Sequence, residues 1–339
     1  MSNELEATAH ALLAPGKGLL AADESLPTIE GRFKNLGIAS TPETRRAYRE
    51  LLFTTPGCGE FLSGVILFDE TLRASDSNGT PFPQLLAGQS IVPGIKVDAG
   101  AKDFALHPGE KITEGLDGLR ERLNQYREMG ARFAKWRAVI SIGDGLPSSA
   151  CLDFNAHALA RYAGLCQEAG LVPIVEPEVV MDGDHSIERC EAVTQETLRA
   201  TFAALVEGRV LLEGMLLKPN MILPGKDATG KASVEEVAER TLRVLRRAVP
   251  AAVPGIVFLS GGQNDREATA RLGAMNSNGD WPWQLTFSFA RALQDEPMKI
   301  WKGDGQNVAA AQRAFEHRLR LNSAASRGQY DASMEEDAR

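Results

Sequence analysis

Short apolar runs of β-forming residues recur roughly every 30 to 45 positions along the chain, and most intervals between them carry apolar residues at helical spacing. Eight such runs stand near 18–23, 64–68, 92–97, 133–140, 172–179, 214–218, 255–260 and 284–288. Their near-continuous hydrophobicity predicts strands of a parallel sheet, buried on both faces. Between them, Leu116, Leu119, Leu123, Tyr126 and Met129 form a helical stripe closed by Gly130, and Ser233 with Glu236 forms a capping box opening a helix through Leu242 and Leu245. Leu198, Phe202 and Leu205 read as a core-facing stripe with no chemistry attached.

Eight strand–helix repeats predict a single α/β domain, a closed (β/α)8 TIM barrel over residues 1–323, with an N-terminal extension ahead of the first strand. An open doubly wound sheet would carry a G-x-G-x-x-G turn after its first strand. Here that strand ends in Ala22-Asp23-Glu24-Ser25, an acid where a pyrophosphate needs uncharged backbone. Residues 324–339 are polar and aperiodic and are expected to form a mobile C-terminal tail.

Composition supports one large core: 43% of the 339 residues are hydrophobic and 24% charged. The net charge of −8 opposes nucleic-acid binding, so any phosphate site must be a local exception built from a few placed cations and backbone N–H groups. Cys58, Cys151, Cys166 and Cys190 show neither C-x-x-C nor zinc-like spacing and read as reduced thiols. With no signal-like start and no run of membrane-spanning length, the expected location is cytoplasmic, away from membranes.

In a barrel, chemistry gathers at the C-terminal strand ends, and ionisable residues interrupt the apolar runs there. Asp23 ends the first run, Lys96 lies late in the third, Lys135 and Arg137 alternate in the fourth, Glu176 and Glu178 in the fifth, Lys218 closes the sixth, and Arg291 follows the eighth. Alternation puts Lys135 and Arg137 on one face of their strand, opposite Trp136, and Glu176 and Glu178 likewise on a shared face across Pro177, two cations meeting two anions. Taken singly, each also fits an ion-pair belt closing the barrel rim. Lys218 follows Met215-Leu216-Leu217, so its amine projects from an apolar strand. Desolvation or a second ammonium such as Lys135 would prepare that amine to attack a carbonyl.

The sequence Leu259-Ser260-Gly261-Gly262-Gln263 closes the seventh run, where paired glycines let backbone N–H groups approach an anion, with Arg291 adding a forked charge. The same residues fit a plain turn. His10, His107, His157, His185 and His317 are scattered without ligand spacing, so no metal is expected, and Asp182, Asp184 and His185 fit a polar loop.

Six segments carry a resemblance that spans most of the chain, from about Gly16 to about Tyr330: Leu20-Ala21-Ala22-Asp23-Glu24-Ser25, Gly94-Ile95-Lys96-Val97-Asp98, Phe133-Ala134-Lys135-Trp136-Arg137, Ile174-Val175-Glu176-Pro177-Glu178, Leu216-Leu217-Lys218-Pro219-Asn220-Met221 and Phe258-Leu259-Ser260-Gly261-Gly262-Gln263. In order and spacing, the chain resembles class I fructose-1,6-bisphosphate aldolase.

That resemblance implies a metal-independent lyase with no cofactor, holding its ketose as a Schiff base on Lys218 and reversibly cleaving fructose 1,6-bisphosphate to dihydroxyacetone phosphate and glyceraldehyde 3-phosphate in glycolysis and gluconeogenesis. Glu176 would form and dehydrate the carbinolamine, and Asp23 would take the C4 hydroxyl proton. Lys135 would orient the carboxylates, and Glu178 would hold Lys135 or Lys218. Ser260, Gly261, Gly262 and Arg291 would grip the phosphate beside the ketone. Ser25, Thr28, Arg32 and Lys96 would meet the distal phosphate, and Arg137 would also bind the substrate. A homo-oligomer, as a tetramer, is implied by resemblance alone.

Departures from the family pattern are also legible. Leu26-Pro27-Thr28-Ile29-Glu30-Gly31-Arg32 lacks one cation and adds a carboxylate, which predicts altered distal-phosphate binding and leaves fructose 1-phosphate or sedoheptulose 1,7-bisphosphate as alternative substrates. Ala290 stands where a glycine is usual, and the chain ends in arginine instead of the tyrosine of the animal enzymes.

Overall fold

The computed structural model describes residues 2–277 and 279–336. Its strands are β1 (Gly18–Ala22), β2 (Leu62–Leu67), β3 (Val92–Lys96), β4 (Gly100–Asp103), β5 (Lys111–Glu114), β6 (Phe133–Ile140), β7 (Val172–Val179), β8 (Leu216–Leu217), β9 (Gly255–Phe258) and β10 (Gln284–Phe289). Eight of them close a barrel in the order β1-β10-β9-β8-β7-β6-β3-β2, every neighbouring pair parallel. Each predicted run thus supplies one barrel strand. The antiparallel hairpin β4–β5 was not foreseen, because Gly100, Ala101, Lys102 and Asp103 lie largely exposed and show no apolar alternation.

Helices form where the sequence places caps. Ser148, Ser186 and Ser233 each accept a hydrogen bond from the backbone N–H three residues on, opening the helices Ser149–Glu168, Ile187–Glu207 and Val234–Ala248. A reciprocal capping pair joins Asn264 and Glu267, at the start of Asp265–Ser277. The stripe from Leu116 to Met129 becomes the helix Leu119–Glu128, with Leu119, Leu123 and Tyr126 buried.

The N-terminal extension is a structural plug. In the helix Ser2–Leu12, Leu5, Ala9 and Leu12, followed by Leu13, pack against the interior residues Leu19, Ala21, Ile66, Phe133, Val172, Ile174, Leu216 and Val257. Glycines make room for this filling: a Cβ on Gly94 would come 2.2 Å from the Phe133 ring, and one on Gly255 would come 2.3 Å from Leu13. The N-terminal half of the barrel is therefore solid hydrocarbon, leaving the opposite end for chemistry.

The expected boundary at 323 falls inside the helix Val308–Ser326, whose Ala324, Ala325 and Ser326 are buried. The chain beyond it docks: buried Arg318 donates to Glu335 at 2.6 Å, and Tyr330 Oη donates to the same carboxylate at 2.9 Å. Small residues at 323–326 and polar ones after them conceal a helix end and a buried ion pair, which is why the segment reads as aperiodic. Residues 337–339 lie outside the described residues.

Candidate active site

Each interior column of the barrel changes character along its strand. Leu19 and Ala21 lead to Asp23, Phe133 to Lys135 and Arg137, Val172 and Ile174 to Glu176 and Glu178, and Leu216 to Lys218. Every step is two residues, so the period-2 pleat carries the charged groups onto the inner face just past the last apolar layer. Trp136, between Lys135 and Arg137, turns outward into the shell packed on Tyr162.

Asp23, Lys135, Glu176 and Lys218 are buried and meet as one cluster. Lys135 Nζ lies 2.8 Å from Asp23 Oδ2 and 3.1 Å from Glu176 Oε2, while Lys218 Nζ lies 3.2 Å from Glu176 Oε1. Glu176 thus bridges the two amines. Its Oε2 is close to Lys135 but outside hydrogen-bonding direction, which leaves a buried acceptor free for a hydroxyl. Glu178 pairs with Arg137, so the expectation that it would hold Lys135 or Lys218 is replaced by this contact. With Arg137 and Glu178 included, three cations face three carboxylates, and that balance is what allows so many charges to leave water together.

Electrostatics follow from the geometry. Burial pushes the Asp23 carboxyl up, but Lys135 and Lys218 outweigh it and hold the group at about 2. Glu176 is likewise lowered, against its burial, by Lys135, Lys218 and Arg137. Lys135 is buried too, yet Asp23 and Glu176 raise it, so it stays an ammonium.

The cluster floors a cleft of about 820 Å³. At one end, Ser260 and Gly261 follow β9, and exposed Arg291 opens the helix Arg291–Trp301 after β10. Gly262 is the one predicted site residue outside the lining. Its φ of +76° makes the turn, and a Cβ there would come 2.6 Å from Met181. Ala290 adopts φ −102° and ψ −84°, so the substitution of the usual glycine asks nothing of the left-handed region.

Toward the other end lie Ser25, Thr28, Arg32, Lys96 and Arg137. Ser25 Oγ and Thr28 Oγ1 are 2.9 Å apart across the first turn of the helix Leu26–Asn35. Lys96 Nζ donates to Asp98 Oδ1 at 2.6 Å, and Arg32 is held between Glu24 and Asp295. Sequence reasoning did not single out Glu24, Asp98 or the hairpin wall at Gly100–Lys102 as site residues, nor Asp295, which lies outside the cleft lining, as the partner of Arg32. It also missed Ser288, whose buried Oγ has no partner among the described residues and lines the cleft; the alternation Thr286, Ser288, Ala290 was the available signal.

A parallel barrel with a buried lysine amine between carboxylates, and cations at both ends of the cleft above it, is an enzyme architecture suited to small phosphorylated carbonyl compounds. Comparison with known proteins agrees. A family model described as fructose-bisphosphate aldolase class-I matches residues 4–339. A probable fructose-bisphosphate aldolase class 1 of Xanthomonas campestris pv. campestris is 55% identical over 328 residues, covering 96% of this chain and 98% of that protein. The cytosolic fructose-bisphosphate aldolase 6 of Arabidopsis thaliana is 53% identical, covering 99% of this chain and 95% of its own. Among solved structures, a fructose-bisphosphate aldolase from Plasmodium falciparum, in ternary complex with TRAP and a small-molecule inhibitor, matches with a TM-score of 0.96 at 49% identity, over 98% of this chain and 96% of that one.

The chain belongs to the class I fructose-bisphosphate aldolase family. It is accordingly a carbon–carbon lyase that cleaves fructose 1,6-bisphosphate in glycolysis, in a class characterised by a lysine Schiff base and no metal requirement. Among the described residues, no helix is long and apolar enough to cross a membrane.

Proposed function

We propose that Lys218 is the amine that forms the Schiff base, with Glu176, Asp23 and Lys135 moving and directing the protons. The observation that carries this reading is the 3.2 Å approach of the buried Lys218 amine to Glu176 on the cleft floor. Transfer of one proton from the Lys218 ammonium to Glu176 yields both a neutral nucleophile and a carboxylic acid. The amine adds to the C2 carbonyl, Glu176 delivers its proton to the departing hydroxyl, and water leaves an iminium.

Asp23, ionised down to about pH 2, then takes the C4 hydroxyl proton. The C3–C4 bond breaks, its electron pair flows into the iminium to give an enamine, and the aldehyde departs. Protonation at C3 and hydrolysis release the ketose phosphate and restore Lys218. Asp23 is a weak base at that pKa, so the iminium electron sink supplies the drive while Lys135 holds the carboxylate in place. Ser260, Gly261 and Arg291 would bind the phosphate beside the ketone, with Gly262 fixing the turn. Ser25, Thr28, Arg32 and Lys96 would bind the distal phosphate, Arg137 would also contact the substrate, and Glu178 would position Arg137.

Incubation with dihydroxyacetone phosphate, borohydride reduction in the presence of a chelator, and peptide mass mapping test the assignment. An adduct on Lys218 with parallel loss of activity is expected; an adduct on a different lysine refutes it. We further infer a cytosolic protein, as two Arabidopsis relatives are named cytosolic, and a homotetramer, which sedimentation at working concentration checks.

A further inference from the structure

Arg32 and Lys96 line the distal half of the cleft and both are already matched by an acid, whereas Lys102 on the hairpin makes no ion pair among the described residues. Lys96 is bound to Asp98, and Arg49 donates to Glu24 at 2.6 Å. Arg32 is spanned, its Nη1 edge on Glu24 and its Nη2 donating to Asp295 Oδ1 at 2.8 Å. The extra carboxylate visible in the sequence at Glu30 is exposed, and the acids paired with Arg32 are Glu24 and Asp295.

These two acids are held very differently. Glu24 is buried between two arginines, with a side chain only 7% exposed. The Asp295 side chain is 45% exposed, and its only ion pair among the described residues is with Arg32. Asp295 also sits one turn beyond Arg291 on the helix that follows β10, the barrel neighbour of β1, so it meets Arg32 from the adjacent element. It is the partner that can swing into solvent, and the Nη2 edge is the part of Arg32 that its departure releases.

We propose that Asp295 is a specificity-determining residue, competing with the distal phosphate of a ketose bisphosphate for Arg32. The proposal rests on the assignment of Arg32 to that phosphate. A phosphate oxygen offers a stronger charge-assisted acceptor than a half-solvated carboxylate, so the phosphate displaces Asp295, but the pair given up reduces its gain. Exposed pairs of this kind shift an equilibrium by about 2- to 5-fold. The consequence is a narrowed preference for bisphosphorylated over monophosphorylated ketoses. Turnover at Lys218 is untouched.

The test measures kcat and KM for fructose 1,6-bisphosphate and for fructose 1-phosphate, which lacks the distal phosphate, in the full-length protein and in Asp295→Asn. Expected is an about 2- to 5-fold lower KM for the bisphosphate, with both constants for the monophosphate unchanged. Equal changes for both substrates would overturn the proposal by assigning Asp295 to the helix that carries Arg291. A raised KM for the bisphosphate would overturn it by making Asp295 the group that orients Arg32. No change at all would overturn it as well. The same two substrates measured with Arg32→Ala separate these results from failure of the underlying assignment: an unchanged ratio of bisphosphate to monophosphate KM in that variant would strike the assignment of Arg32 to the distal phosphate, whatever Asp295 does.

Discussion

Replacing Lys135 by methionine removes the centre of the buried cluster while keeping much of its volume. Lys135 is the cation within 2.8 Å of Asp23 and 3.1 Å of Glu176, and both its partners are buried. Breaking such a pair from one side costs about 3–5 kcal/mol of stability, because the carboxylates remain in place without their charge partner. Asp23 gives a separate check. The gap between its ordinary 3.8 and its value of about 2 corresponds to about 2.5 kcal/mol at 1.36 kcal/mol per pH unit. A depressed carboxyl contributes that stability above pH 3.8 and loses it as pH falls through about 2, so the unaltered protein should weaken across this window. In Lys135→Met the Asp23 carboxyl loses its strongest charge partner and rises from its depressed value, and the same window narrows. Since Lys135 also lowers Glu176, the acid limb of kcat/KM against pH should move upward. Urea unfolding at several pH values and the pH–rate profile measure both effects. An unmoved acid limb together with unchanged stability at neutral pH would refute the reasoning.

Two further substitutions test the frame around the site. Glu335→Gln leaves buried Arg318 without its close carboxylate partner and should cost about 3 kcal/mol in urea unfolding, whereas an undocked tail would make the change silent. Gly94→Ala drives a methyl group to 2.2 Å from the Phe133 ring and should lower stability by about 1–3 kcal/mol, with part recovered in the double variant Gly94→Ala/Phe133→Leu; a thermal midpoint unchanged in the single variant would count against the packing described.

The barrel was legible because its signal is repeated. Every strand from β1 to β10, apart from the hairpin, is a burst of buried apolar residues, and misplacing one edge leaves the count unchanged. Asp23, Lys135, Glu176 and Lys218 were legible for a related reason: a charge two residues beyond an interior aliphatic has nowhere to point except the barrel mouth. What stayed hidden depends on contacts between distant segments. Asp295 lies on a helix whose sequence shows only an ordinary polar face, and its meeting with Arg32 spans 263 positions. Glu335 looked like part of a polar terminus because nothing local reveals that Arg318 is buried opposite it.

The two ends of the cleft differ in how their charge is stored. Arg32, Lys96 and Arg137 are each matched by a protein carboxylate, whereas Arg291 makes no ion pair among the described residues and stands beside the bare backbone of Gly261. Under the proposed orientation, the phosphate next to the reacting carbonyl binds a cation whose charge is already free. Distal groups of the substrate that meet Arg32, Lys96 or Arg137 gain only the difference between their own contacts and those they displace. Such an arrangement fixes the carbonyl against Lys218 with the proximal phosphate and leaves the distal end exchangeable, which suits a reaction whose distal half must leave as a separate aldehyde before the proximal half is released. It also explains how a chain of net charge −8 accommodates a bisphosphate: the acids that make the protein negative are used locally to keep its cations folded in place until the substrate takes over.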